Sequence, residues 1–362
     1  MSSIFRDLLK KVGSGTHTSQ DLSREESALA TRLMLEQRAT PAQIGAFMIA
    51  QRIKRPTIPE LAGMLDCYDQ LGGRLKLSGT TPHPAIVLST PYDGRLRHAP
   101  VTPITALVLA AADIPVILHG GDRMPTKMGV PLVDVWQGLG VSWQTLSLEQ
   151  TQQVFDCTQV GFIYLPKHFP EAHHLVPYRE QIGKRPTLAT IELMWAPCDG
   201  PMHVVSSFVH PPTEDRTQET YQLRHTHNYT TVKGLEGSCD LPRSRTVIIG
   251  MGSKPKDGQP TFERLLLHPR DYGFDGPDPS LEEDFLSTLE PLLHGEAHQL
   301  TDSVVWNGGF YLWRMGAVPN LLEGFEQARN LLTSGKVAAK REQLRNVTAN
   351  VHKHQLSPVS SC

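Results

Sequence analysis

The stretch Ile114-Pro-Val-Ile-Leu-His-Gly-Gly-Asp-Arg-Met-Pro-Thr-Lys127 decides the fold. An apolar, β-branched run stops abruptly at His119, Gly120 and Gly121. Asp122, Arg123 and Lys127 follow, and then Val133-Asp-Val-Trp-Gln-Gly-Leu-Gly140 has the pattern of a helix closed by glycine. The order is buried strand, glycine turn, charged loop, helix. In open α/β sheets, ligands bind in the crevice beyond the carboxyl ends of the strands. Glycine lets a backbone approach an anion closely, and Lys or Arg beside it supplies charge. The same loop also fits an ordinary connection with solvated charges.

Working outward, the alternation recurs. Further β-branched runs stand at Ala85–Ser89, Thr187–Trp195, His203–Val209 and Thr246–Gly250, with helical patterns at Pro103–Ala112 and Leu132–Leu139. Such alternation predicts a largely parallel sheet with helices on its faces. Residues 152–169 have no single period, and 211–230 read as a long excursion or flap. Leu281–Leu293 and Leu321–Ala339 read as late helices. Upstream, residues 4–72 are helical in pattern, with capping boxes at Ser23-Arg-Glu-Glu26 and Thr40-Pro-Ala-Gln43. Thr57-Ile-Pro-Glu60 opens a third helix, which Gly72-Gly73 ends. The fold class is therefore α/β: a small helical domain over 1–73, a large α/β domain over 80–345, and a flexible tail over 346–362.

Composition narrows the function classes. With 35 Lys+Arg against 37 Asp+Glu, the whole chain carries no basic signature for nucleic acid. Five scattered cysteines with no Cys-x-x-Cys pair fit a reducing cytoplasm better than a disulfide framework. No apolar run reaches the roughly 18 residues of a membrane span, so a cytoplasmic protein with no membrane partner is expected. His168, His173 and His174, or His225 and His227, have no Cys partner and no HExxH spacing to make them a zinc site. The aromatic runs Glu192–Trp195 and Phe310–Trp313 read as core.

Three loops after sheet-like runs carry glycine or charge: Ser89-Thr-Pro-Tyr-Asp-Gly-Arg-Leu-Arg-His98, the opening stretch, and Thr231-Val-Lys-Gly-Leu-Glu-Gly-Ser238. A fourth turn is expected at Trp306-Asn-Gly-Gly309. Turns converging on one side of a sheet suit a phosphosugar, with N–H groups and cations around the anion and a carboxylate on a divalent metal. On these residues the chain resembles the anthranilate phosphoribosyltransferase family, which shares its fold with pyrimidine nucleoside phosphorylases. His119-Gly120 followed by Lys127 and Gly129 resembles the family's Lys-His-Gly-Asn-Arg…Lys-Ser-Gly. Phe162-Ile-Tyr-Leu-Pro166 with His168 and Pro170 resembles its Phe-Ala-Pro…His-Pro segment. Arg179, four residues before Gly183, falls at the family's acceptor-contacting arginine; Arg185 and Asn307-Gly308 match later positions.

The resemblance implies a helical domain, completed by about residues 165–182, hinged to the α/β domain, and a homodimer. It implies phosphoribosyl pyrophosphate or a related phosphosugar with Mg2+ in the cleft, and an aromatic amine acceptor between the domains. Thr90, Asp93, Gly94, Thr102, Gly120 and Lys127 would serve the anion, His119, His168 and Arg179 the acceptor, and Glu236 the metal. No catalytic acid or base is singled out.

The departures point to altered chemistry. The family's Gly-Thr-Gly-Gly-Asp-Gly loop stands here as Ser89-Thr-Pro-Tyr-Asp-Gly94, and Pro91 removes an N–H donor. The metal-holding Asp-Glu pair is Glu236-Gly237, which implies a weakened Mg2+ site. Tyr92-Asp-Gly94, Thr102-Pro103 and His119-Gly120 resemble a divergent branch of the family that includes nucleic-acid binders. Arg95, Arg97, His98, Arg123, Lys127, Lys167, Arg179, Lys184, Arg185, Arg224 and Lys233 lie in or beside the cleft loops; facing one groove they would attract a polyanion, and dispersed they would not. Three functions follow: pentosyl or phosphoribosyl transfer to an altered acceptor, non-catalytic nucleic-acid binding, or sensing of a phosphorylated metabolite.

Overall fold

The computed structural model describes residues 3–15, 17–79, 81–255 and 258–351. The helical lobe comprises α1 (Ser3–Gly13), α2 (Arg24–Leu35), α3 (Pro41–Lys54) and α4 (Ile58–Leu71). Its helices begin where the caps dictate. Glu26 N–H donates to Ser23 Oγ at 3.1 Å and the Glu26 carboxylate accepts the Ser23 N–H at 3.0 Å; Thr40 and Gln43 repeat the exchange. Each such cap stabilises its helix by about 1 kcal/mol. α4 ends at Gly72, which turns to an extended backbone and leaves no room for a Cβ, since one there would meet the Trp195 ring at 2.5 Å.

Among the described residues the large lobe is built on nine strands: β1 (Leu75–Lys76), β2 (Ala85–Leu88), β3 (Val116–Gly120), β4 (Val160–Tyr164), β5 (Cys198–Asp199), β6 (Met202–Ser207), β7 (Tyr229–Val232), β8 (Val247–Ser253) and β9 (Thr261–Leu267). Seven form one sheet in the order β4-β3-β2-β6-β7-β8-β9, parallel through β7 and antiparallel at β8 and β9. β1 and β5 pair beside it. Ile86, Leu88, Val116, Leu118 and Phe162 join a core with the helices of the large lobe. Val87, Ile117, Ile163 and Val204 join a second core that continues through Tyr68 and Leu61 into the helical lobe. Burial on both faces explains why these strands read as unbroken apolar runs.

Between and after the strands lie α5 (Thr102–Ala110), α6 (Leu132–Gly138), α7 (Leu148–Thr158), α8 (Leu165–His168), α9 (Pro170–His173), α10 (Val176–Ile182), α11 (Leu188–Ile191), α12 (Pro211–Leu223), α13 (Leu289–Leu293), α14 (Thr301–Arg314), α15 (Leu321–Thr333) and α16 (Lys336–Val351). α10 packs on α3, and Tyr178 Oη donates to Gln37 at 2.8 Å. Arg224, just past the end of α12, pairs with Asp66 and Asp69 of α4, and Trp195 Nε1 donates to Asp69 at 3.1 Å, so the lobes are clamped at this edge.

Four expectations change. The run 187–195 is α11 and a turn, not a strand; it is apolar because it crosses between the lobes, and Trp195 packs edge-on against Tyr68 and His119. Residues 211–223 form α12 rather than a flap, because the two prolines that suggest a loop also suit a first helical turn. Trp306-Asn-Gly-Gly309 lies inside α14: a Cβ on Gly309 would meet Phe325 of α15 at 2.5 Å, so this glycine serves helix packing, not a turn. Helix α16 runs to Val351, beyond the expected start of the tail at 346, and residues 352–362 lie outside the described chain. Among the described residues, no helix is long and apolar enough to cross a membrane.

Candidate active site

The loops after β2 and β3 are zipped together by two glycines. Gly94 has φ +73°, and a Cβ on it would lie 2.5 Å from the Gly129 carbonyl carbon. Gly129 N–H donates to the Asp93 carbonyl at 3.0 Å, and Arg95 and Val130 exchange backbone bonds at 3.0 and 2.8 Å. Tyr92 turns inward and is 4% exposed, with its Oη 2.5 Å from His119 Nδ1. Burial, opposed by a hydrogen bond with the Trp195 backbone, brings the His119 pKa down to about 3. The ring is therefore neutral, and Tyr92 Oη and His119 Nδ1 share one proton across their hydrogen bond. His119 Nε2 lies 3.4 Å from Ser89 Oγ.

Glu236 follows β7 in a tight turn at φ +51°. Its carboxylate accepts the backbone N–H groups of Leu96 (3.2 Å), Arg97 (3.0 Å) and His98 (3.0 Å). Arg95 Nε lies 3.4 Å away and Lys127 Nζ 3.6 Å away. Burial alone would raise the Glu236 pKa, but these donors and the Arg95 charge outweigh it and hold it at about 2. Asp240 is likewise spoken for by Arg95 (2.9 Å), Val101 N–H (3.2 Å) and Thr102 Oγ1–H (2.7 Å). A backbone nest that could cradle an anion is thus filled by a carboxylate of the chain itself.

The hollow enclosed by Thr90, Gly94, Thr102, Val130 and Asp240 measures about 10 Å³, room for no more than one water. Asp93, 2% exposed, pairs with Arg185 Nε at 2.5 Å. Arg179 and Glu192 form a two-pronged ion pair with both side chains buried, one arm at 3.3 Å. Burial pushes the Glu192 carboxyl up, and Arg179 opposes that shift.

The expected anion set of Thr90, Asp93, Gly94, Thr102, Gly120 and Lys127 gathers at one end of the sheet, with its polar side chains largely turned to partners in the chain. Arg179 faces Glu192 rather than open space, and Glu236 faces N–H groups and cations. His168 lies apart: Tyr164 N–H donates to its Nδ1 at 3.0 Å, leaving Nε2–H for the Leu146 carbonyl at 2.9 Å, a local structural role. Asn307 accepts Leu241 N–H at 2.7 Å and so fixes the segment after Asp240. Of the cations expected in one groove, Arg95, Arg179, Arg185 and Arg224 pair with acids, and Arg123 pairs with Asp134 at 3.2 Å.

The Glu236 and Asp240 carboxylates do not fit a magnesium ion as they stand, because their oxygens already accept backbone N–H, hydroxyl and guanidinium donors.

Residues 6–72 match the helical bundle domain of a glycosyl transferase family, and residues 97–338 match its a/b domain. The chain belongs to that glycosyl transferase family. An anthranilate phosphoribosyltransferase of Thioalkalivibrio sulfidiphilus is 28% identical over 335 residues, covering 91% of this chain and 96% of its own. An uncharacterized protein of Aquifex aeolicus is 27% identical over 323 residues, 89% of this chain and 96% of that protein. Among solved structures, the anthranilate phosphoribosyltransferase of Thermus thermophilus superposes with a TM-score of 0.72 at 21% identity, over 95% of this chain and 99% of that one. The Saccharomyces cerevisiae enzyme in complex with phosphoribosyl pyrophosphate and Mg superposes at 0.78 with 13% identity, over 97% and 99%. The chain thus shares the glycosyltransferase type and the two-lobed fold of these enzymes.

Sequence reasoning missed Glu192 and Asp240, each a lone acid in an apolar context with no motif spacing. It also missed Arg52 and Arg55 together with Arg216, which is far from them in the chain but lines the same hollow between the lobes.

Proposed function

We propose that this chain is a phosphoribosyltransferase-like transferase whose acceptor carries no carboxylate. The observation behind this reading is the buried Arg179–Glu192 pair. An arginine already neutralised by a carboxylate of the chain offers little to the carboxylate of anthranilate. Displacing Glu192 would leave a buried charge unpaired, which is strongly unfavourable. A neutral aromatic amine or nucleobase would not need that arginine.

The donor side is closed at rest. With the hollow at about 10 Å³, a phosphosugar enters only if the Asp93–Arg185 clasp opens and the Tyr92 loop moves. Once it is open, Lys127, 3.6 Å from Glu236, would face the leaving diphosphate. Neutral His119, fixed by Tyr92, would wall the sugar rather than exchange a proton at neutral pH. Catalysis would then be positioning and charge stabilisation. No step is assigned to a metal, since the acids present are engaged elsewhere.

The test is an acceptor screen with phosphoribosyl pyrophosphate, following donor consumption with anthranilate, aniline-type amines and nucleobases in parallel. Turnover confined to neutral acceptors supports the reading. Efficient anthranilate turnover, with an acceptor KM that rises in Arg179→Ala, would refute it. Nucleic-acid binding is the rival, and the observation that favours it is the set of arginines lining the hollow between the lobes. It predicts affinity for single-stranded DNA that falls linearly in log–log salt plots.

A further inference from the structure

Between the lobes lies an open cleft of about 600 Å³, sixty times the volume given above for the donor hollow and within the usual range for small-molecule sites. Four arginines line it: Arg52 and Arg55 at the end of α3, Arg185 before α11, and Arg216 in the second turn of α12. His210 joins them, and no carboxylate lines the cleft. Arg55 is presented from a residue with φ +65°, an unusual backbone state for a non-glycine. Arg52 Nη1–H is anchored on the Arg185 carbonyl at 2.7 Å, and Arg216 Nε–H on the Pro212 carbonyl at 2.9 Å, so these guanidinium groups are oriented by the backbone without being neutralised. Arg185 alone has an acid partner, Asp93, which belongs to the donor loop.

We propose that this cleft is a second site, separate from the inherited donor hollow, that binds a compact polyphosphate: a diphosphate group, free or on a nucleoside. Guanidinium forks match phosphate oxygens two at a time. Like charges facing one hollow repel until an anion enters. The cations converge from three segments onto one hollow rather than forming a row, which suits a compact ligand better than a long phosphodiester chain. Pro56, Pro186 and Pro211 give the cleft flat apolar walls against which a base or sugar can lie.

Arg185 couples the two sites. A diphosphate in the cleft competes with Asp93 for this guanidinium, so occupancy there loosens the clasp on the Tyr92–Asp93–Gly94 loop. The cleft ligand then acts as an effector that opens the donor side.

The test is calorimetric titration of the full chain with inorganic pyrophosphate, with ADP, and with a single-stranded DNA oligonucleotide. Arg55→Ala and Arg216→Ala change side chains on the rim, and circular dichroism checks that they fold. Pyrophosphate and ADP should bind, with each variant weakening them about tenfold. Asp93→Asn should tighten pyrophosphate binding, because it releases Arg185. Pyrophosphate binding indifferent to both rim arginines would overturn the proposal, as would binding of the oligonucleotide alone. Tightening absent in a folded Asp93→Asn would overturn the coupling. Because Arg55 and Arg216 line the cleft and not the donor hollow, pyrophosphate binding that ignores them fails this proposal alone, while the acceptor screen tests the transferase reading by itself.

Discussion

Two charged hollows lie on either side of Arg185, and they are built in opposite ways. In the inherited hollow every strong charge is answered from within the chain: Glu236 by three N–H groups, Asp240 by Arg95 and Thr102, Arg179 by Glu192. In the cleft between the lobes Arg52 and Arg216 are held by carbonyls, and no acid lines the walls. Motifs mark the inherited hollow, whereas of the cleft arginines only Arg185 falls at a motif position. What separates them is whether the charges are satisfied. A closed network stabilises the fold, whereas an open set of like charges is a binding surface awaiting a counter-charge.

The contrast breaks most directly at Glu192. Glu192→Ala leaves Arg179 buried and unpaired, and urea unfolding should report a loss of about 3–5 kcal/mol. A loss below about 1 kcal/mol would mean that Arg179 is free to meet a ligand. The next largest effect is expected at Glu236, where Glu236→Gln should cost on the order of 2 kcal/mol near neutral pH, since it weakens several charge-assisted bonds. The sign of its pH dependence follows from the depressed pKa. Between 4.5 and about 2 the unfolded chain takes up a proton that folded Glu236 refuses, so stability falls as pH falls through that window. Glu236→Gln should flatten this part of the stability profile, and an unchanged slope would show that the N–H cage does not hold a carboxylate.

Tyr92→Phe removes the hydroxyl that pairs with His119 and should cost about 1 kcal/mol in the same assay. A neutral result would mean that the loop is not fixed by that bond. The smallest effect belongs to the cleft. Arg216→Ala should shift stability by no more than about 0.5 kcal/mol without ligand, because the cleft arginines do not hold the fold. A large loss would place Arg216 in the structural network instead.

The sequence carried the fold because long-range burial leaves a local trace. Runs such as Ala85–Leu88 and Val116–Gly120 are apolar on both faces, and Ser23, Thr40 and Thr57 mark helix starts. Segments that cross between the lobes deceived it: 187–195 is apolar without being a strand, and Pro211-Pro212 opens a helix. For the site, the loops around Tyr92, His119 and Glu236 were legible because turn chemistry is local. Their partners were not, because Glu192 and Asp240 act through distance in space, and so do Arg52 and Arg216.

Hydrogen exchange measured by mass spectrometry, with and without pyrophosphate, tests the contrast most directly. Slower exchange is predicted over residues 52–56, 183–190 and 210–216, together with faster exchange over 89–98 as the Asp93 clasp loosens. Protection confined to 89–98, 119–129 and 236–240, with the cleft segments unchanged, would contradict it: the anion would then enter the inherited hollow after all.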